Sequence, residues 1–112
     1  MNPLTVGILF GGRSGEHEIS LLSARSVLEK IDRQKYKVVQ IGITHDGVWL
    51  VGSDVLTAFE NKDFSGLTSA TLIAEPGGHT LYARDRRHEG IMLTPFEKLD
   101  VIFPVTHGPF GE

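Results

Sequence analysis

The sequence has 112 residues, 40% of them hydrophobic and 22% charged, with a formal net charge of -3. That length suits one compact domain with its own core, and the composition excludes an intrinsically disordered chain. The acidic balance argues against a nucleic-acid platform, the lack of cysteine excludes a disulfide scaffold or a thiolate metal site, and no apolar run reaches the length of a bilayer span.

Residues 4–10, Leu-Thr-Val-Gly-Ile-Leu-Phe, form an apolar run stopped by two glycines. This is the pattern of a strand buried on both faces of a parallel sheet, and it is too short, with no basic flank, for a secretory signal. The loop Gly11-Gly12-Arg13-Ser14-Gly15 leads into a helix predicted from near Glu16 to about Ile31. Ile19, Leu22, Val27 and Ile31 are expected on its buried face, with Ala24 and Leu28 at the edge. Glu16 and Glu18 at its start, and Lys30 and Arg33 at its end, complement the helix dipole.

Residues 36–43, rich in Val and Ile, read as a second strand. Strand, helix and strand of these lengths make a βαβ unit, so the two strands run parallel. Asp46-Gly47 is a tight-turn signal that folds residues 48–51 back as a hairpin.

Residues 53–95 are less regular. A short helix is predicted over 54–60 and short strands over 71–74, 81–84 and 91–94, separated by Pro76, Gly77, Gly78 and Gly90. This stretch is expected to be an insertion outside the main sheet. Arg84, Arg86, Arg87 and His88 alternate with Asp85 and Glu89, which reads as a solvated turn rather than a phosphate-tracking surface. Residues 100–105 form another apolar strand, in which Pro104 belongs near the end or at an edge because it has no N–H. The chain then enters Thr106-His107-Gly108-Pro109-Phe110-Gly111-Glu112, and a stop inside a glycine-rich loop after a core strand reads as a truncation. The fold class is α/β: a Rossmann-like, open, mainly parallel sheet flanked by helices, with a hairpin and short-strand insertion.

The glycine loop fails two phosphate-binding patterns. A dinucleotide fingerprint needs Gly-x-Gly-x-x-Gly, whereas the glycines here are Gly11, Gly12 and Gly15, and no acidic residue ends the second strand for a ribose hydroxyl. A P-loop over residues 7–14 would place Arg13 at the lysine position but would start at Gly7, inside the strand. What remains is a helix N-terminus delivered to the carboxyl edge of a parallel sheet, where such sheets bind ligands.

Glu16 holds a carboxylate at that helix start. The dipole and backbone amides favour its charged form, which suits a cationic ligand such as an amino-acid ammonium, and equally suits a helix cap. His107 follows a core strand at the same edge and reads either as a ligand-site residue or as a structural histidine bonding the loop. His17 is expected at the surface, His45 and His88 solvated beside turns, and His79 within the insertion. No two histidines share one element at metal-ligand spacing, so no zinc site is expected. No Ser-His-Asp set emerges.

The segment Val6-Gly7-Ile8-Leu9-Phe10-Gly11-Gly12-Arg13-Ser14-Gly15-Glu16-His17-Glu18-Ile19-Ser20 resembles the first signature of the D-alanine–D-alanine ligase family. The stretch from Asp100 to Glu112, with its His107-Gly108 and Gly111-Glu112, resembles the start of its second, which breaks off at Glu112. The resemblance runs the length of the chain and implies the N-terminal, pre-ATP-grasp domain, residues 1–112, of a cytoplasmic bacterial ligase. Such an enzyme makes D-alanyl-D-alanine for peptidoglycan through an acyl phosphate, with ATP and Mg2+. It further implies that Glu16 is catalytic and helps hold the ammonium of the first D-alanine, that His107 lines the same pocket, that Ser20 belongs to the substrate site and supports the loop rather than doing chemistry, and that Gly11, Gly12, Ser14 and Gly108 are loop-forming. The ATP and Mg2+ residues would lie outside this chain, the parent would form a homodimer with no nucleic-acid or membrane partner, and the 112 residues alone would not turn over. Rival readings are a stand-alone nucleotide- or small-ligand-binding module, a related D-alanine–D-lactate ligase, and a non-enzymatic interaction domain.

Overall fold

The first apolar run forms β1 (Leu4–Gly11) in the structure, a computed structural model that describes residues 3–12, 17–87 and 89–105. β1 is buried from Val6 onward because both of its faces are covered. Val6, Ile8 and Phe10 pack with α1 (His17–Lys30) and α2 (Val55–Asn61), chiefly through Leu21, Ala24, Leu28, Val55, Leu56 and Phe59. On the opposite face, Leu9 joins Val39, Ile41, Val51, Ala70, Leu81 and Leu99. Each fully buried side chain of this size contributes about 1.5–3 kcal/mol.

β2 (Tyr36–Ile43) runs parallel to β1, pairing Leu4 with Tyr36 through to Gly11 with Ile43. Beyond the Asp46-Gly47 turn, β3 (Trp49–Val51) pairs antiparallel with β2, as the hairpin signal predicts. α2 is anchored to β2 by the Leu56 N–H, which donates to the Gln40 side-chain carbonyl at 2.8 Å. β7 (Val101–Val105) pairs parallel with β1 and forms one edge of the sheet, where Pro104 costs no ladder bond to a further strand.

The insertion belongs to the main sheet, contrary to expectation. β4 (Thr68–Glu75), β5 (Gly78–Arg87) and β6 (Gly90–Leu99) continue it antiparallel, in the order β6-β5-β4-β3-β2-β1-β7. The α/β class holds, but the sheet is mixed: only β2, β1 and β7 are mutually parallel. The strands also run longer than their apolar centres, since backbone pairing extends a ladder through polar residues once a hairpin closes. Arg84, Asp85 and Arg86 accordingly lie exposed along β5 rather than in a turn.

Only Asp100 separates the two edge strands β6 and β7, so the sheet must coil until the end of β6 reaches β1. Asp100 makes that junction: its N–H donates to the Thr5 carbonyl at 2.8 Å, and its carboxylate accepts the Thr5 N–H at 2.7 Å. Leu99, fully buried, lies where a side chain at position 7 would project, and Lys37 pairs with Glu97 at 2.9 Å.

The helix face is also corrected. The buried residues of α1 are His17, Ser20, Leu21, Ala24 and Leu28, with Val27 and Ile31 packed beside them. Ile19 is 48% exposed and Leu22 71%. The spacing 17, 20, 21, 24, 28 is a continuous helical stripe, and two small residues, Ser20 and Ala24, let the helix approach the sheet closely. At the far end the Arg33 guanidinium donates to the Leu28 carbonyl at 3.2 Å, in line with the expected dipole complement.

Candidate functional site

The carboxyl ends of β1, β2 and β7 converge beside the start of α1. Gly11 and Gly12 turn the chain out of the sheet with φ of +86° and +108°. The Gly12 N–H donates to the Ile43 carbonyl at 2.8 Å. The Gly11 N–H donates to the Ser20 hydroxyl at 2.9 Å, and that hydroxyl in turn donates to the Val105 carbonyl. Ser20 is completely buried, so one side chain ties β1, α1 and β7 together at the edge from which the loops depart.

These bonds bear on phosphate binding. A phosphate cradle needs free amides, yet those of Gly11 and Gly12 are already used within the protein.

His17 is 5% exposed, not a surface residue. It shares the buried helix stripe with Ser20 and Leu21, which the predicted face missed. Its Nδ1 donates to the Gly12 carbonyl at 2.8 Å, tying the start of α1 to the end of the glycine turn. The acceptor has no proton to give, so Nδ1 carries the hydrogen. The ring stacks on His45 with centroids 3.9 Å apart and 24° between planes, and lies 6.0 Å from Phe59. Phe59 meets Phe10 edge-on at 5.6 Å. His45 is exposed on the β2–β3 turn, as expected, and His79 is half-buried on β5.

Of the residues singled out in the sequence, Gly11, Gly12 and Ser20 come together here. Ser14, Glu16, His88, His107, Gly108 and Glu112 lie outside the described residues. The non-local meeting of His17 with His45 escaped the sequence reading, whose test for metal ligands looked only within single elements. Among the described residues, His17, Glu18 and His45 are the one group of three whose ligand atoms could hold a metal, all within 4.8 Å of one another. Two imidazoles and one carboxylate do not suit Mg2+, which prefers oxygen ligands.

A second concavity, of about 570 Å³, is almost wholly apolar. It lies away from the glycine loop, between α1 and β7, lined by residues including Val27, Ile31, Tyr36 and Phe103. No helix among the described residues is long and apolar enough to cross a membrane.

Comparison with known proteins assigns the chain. Residues 5–112 match the family model described as D-ala D-ala ligase N-terminus. A D-alanine–D-alanine ligase from Natranaerobius thermophilus is 42% identical over 116 residues, covering 100% of this chain and 29% of the relative. D-alanine–D-alanine ligase A from Escherichia coli strain K12 is 39% identical, covering 100% and 31%. Among solved structures, the VanG D-Ala:D-Ser ligase from Enterococcus faecalis superposes with a TM-score of 0.73 at 28% identity, covering 96% of this chain and 30% of that one. The D-alanine-D-alanine ligase from Coxiella burnetii gives 0.74 at 24% identity, covering 100% and 31%, a likeness of fold. The chain thus spans under a third of the length of the curated relatives it matches. With the glycine turn and the Ser20 tie already in place, the chain belongs to the family of D-alanine–D-alanine ligase N-terminal domains.

Proposed function

We propose that this chain is the N-terminal domain of a protein that joins two D-alanines into D-alanyl-D-alanine, with ATP converted to ADP and phosphate. The observation that carries this reading is the family match over residues 5–112, which includes β1, α1 and β7. The domain's contribution is one wall of the first D-alanine site. Glu16, the residue before α1 in the sequence, supplies a carboxylate for the substrate ammonium, and His107, two residues after β7, lines the same pocket. Ser20 and His17 hold the bases of these segments through Gly11, Val105 and Gly12. ATP and Mg2+ would be held by the remainder of the parent. A cytoplasmic location, a role in peptidoglycan synthesis and a homodimeric parent complete the reading.

The test is D-alanine-dependent phosphate release from ATP by the parent protein, beside this chain alone. Activity in the parent and none in the chain supports the assignment, and a silent parent refutes it. Within an active parent, Glu16→Gln is expected to raise the KM for the first D-alanine by roughly tenfold or more, because an ammonium loses a charge-assisted partner. Unchanged D-alanine kinetics would remove Glu16 from the site. Since the Enterococcus faecalis neighbour is titled a D-Ala:D-Ser ligase, the same assay includes D-serine and D-lactate as second substrates. A preference for either would replace D-alanine in the second position.

A further inference from the structure

We propose that His17, His45 and Glu18 form a three-ligand site for a borderline divalent cation of the Zn2+ class, joining the start of α1 to the β2–β3 turn. The site is separate from the Mg2+ chemistry of the ligase reaction and does not rest on the ligase reading.

His17 is already arranged as a ligand. Its Nδ1–H is committed to the Gly12 carbonyl, which leaves the Nε2 lone pair as the donor and fixes the ring plane. Metal-bound histidines commonly have their other nitrogen bonded in this way, because the carbonyl both orients the ring and raises its basicity. The ring is 5% exposed, so it cannot turn away.

His45 is carried on a turn with little freedom. The Thr44 N–H donates to the Val48 carbonyl at 2.9 Å, the Gly47 N–H to the Thr44 carbonyl at 2.9 Å, and the Val48 N–H to the Thr44 hydroxyl at 3.0 Å. The turn backbone is fixed, while the exposed imidazole can rotate. In the stacked arrangement the two rings lie face to face at 3.9 Å, so their lone pairs do not converge on one point. Metal binding therefore requires His45 to swing off the stack, while His17 stays in place. Zn–N bonds of about 2.0–2.1 Å draw the donors inward from their present spread, within 4.8 Å of one another. The exposed Glu18 supplies the third donor. Its charge offsets the positive end of the helix dipole, which would otherwise disfavour a cation there. Two imidazoles and one carboxylate select zinc-like ions over Mg2+ or Ca2+ and leave the fourth position to water.

The experiment is calorimetric titration of the protein with ZnCl2 in a non-coordinating buffer, with MgCl2 as the control ion and histidine ring nitrogens followed by NMR. The wild type is expected to bind one Zn2+ at this site with micromolar affinity, shifting the His17 and His45 ring resonances, while Mg2+ leaves them unmoved. His45→Ala, an exposed turn substitution that retains the fold, is expected to weaken that binding by roughly tenfold or more, and Glu18→Gln by less. His79→Ala is expected to leave it unchanged. Absence of saturable binding up to about 100 µM Zn2+ would overturn the site. So would binding that survives His45→Ala intact, or shifts confined to other histidines, since the ion would then sit elsewhere.

Discussion

The Ser20 hydroxyl donates to the carbonyl of Val105, a residue 85 positions further along the chain. The same oxygen accepts the Gly11 N–H at 2.9 Å. A single buried oxygen thus sets the spacing between β1, α1 and β7 at the carboxyl edge of the sheet.

Ser20→Ala removes that tie without changing the shape of the core. It leaves the Gly11 N–H and the Val105 carbonyl without a partner in a dry setting, at a cost of about 1–3 kcal/mol for each group. The expected loss is therefore roughly 2–6 kcal/mol, read from the urea midpoint at constant m-value. A change below about 0.5 kcal/mol would show that water or a backbone shift satisfies both groups.

Gly11 and Gly12 differ in why they are glycine. A Cβ at Gly11 would lie 2.4 Å from the Ile43 carbonyl oxygen, a backbone atom of the paired strand, and φ is +86°. At Gly12 φ is +108°, but a Cβ would meet nothing within 4 Å. Gly11→Ala is expected to cost about 3 kcal/mol or more, combining clash and strain, and Gly12→Ala about 1–2 kcal/mol from strain alone. Gly12→Val should cost more than Gly12→Ala, because branching at Cβ narrows the accessible backbone further. Thermal melts of the three variants check the order, and equal costs at the two positions would refute the steric distinction.

Gly42 lies on β2 directly beneath Phe59, and a Cβ there would lie 2.3 Å from the ring. Phe59 is 2% exposed and packed on Phe10, so the ring has no free direction to retreat. Gly42→Ala is expected to destabilise by roughly 1–3 kcal/mol through overpacking. Adding Phe59→Leu should recover part of that loss, giving a coupling of about 1 kcal/mol in a double-mutant cycle. Strictly additive effects would mean that the two sites do not share the space.

Arg25 on α1 pairs with Glu60 on α2, with side chains 39% and 34% exposed. The hydrogen bond to Glu60 is the main cause holding the guanidinium pKa above its ordinary value. Exposure to solvent nevertheless limits the pair to about 0–1 kcal/mol. Glu60→Gln is expected to lower stability within that range at low salt and to have no measurable effect near 1 M salt. A larger, salt-independent loss would point to packing by the Arg25 stem instead.

Part of the site was legible in local pattern and part was not. Gly11 and Gly12 were legible because a strand stopped by glycines and followed by a helix start has few other readings, whereas Ser20 was singled out only by motif resemblance. The functions assigned to Glu16 and His107 came from motif resemblance, and both lie outside the described residues. His17 was misread because a histidine in a polar run gives no local sign of burial. Its environment comes from Phe59 and His45, which reach it only after α2 and the β2–β3 turn have packed.

The order of elements from β1 to β3 followed from residue pattern alone, since runs of Val and Ile, a helix-length spacer and an Asp-Gly turn act through near neighbours in the chain. The buried face of α1, the coiling of β4 to β6 into the same sheet and the pairing of His17 with His45 were decided only by the tertiary structure. Each depends on which distant surface is available to cover an apolar group or a strand edge. The one-residue connection at Asp100 makes the last point plainly: it forces the two sheet edges to the same end of β1, and no local periodicity records a constraint between strands so far apart in the sheet.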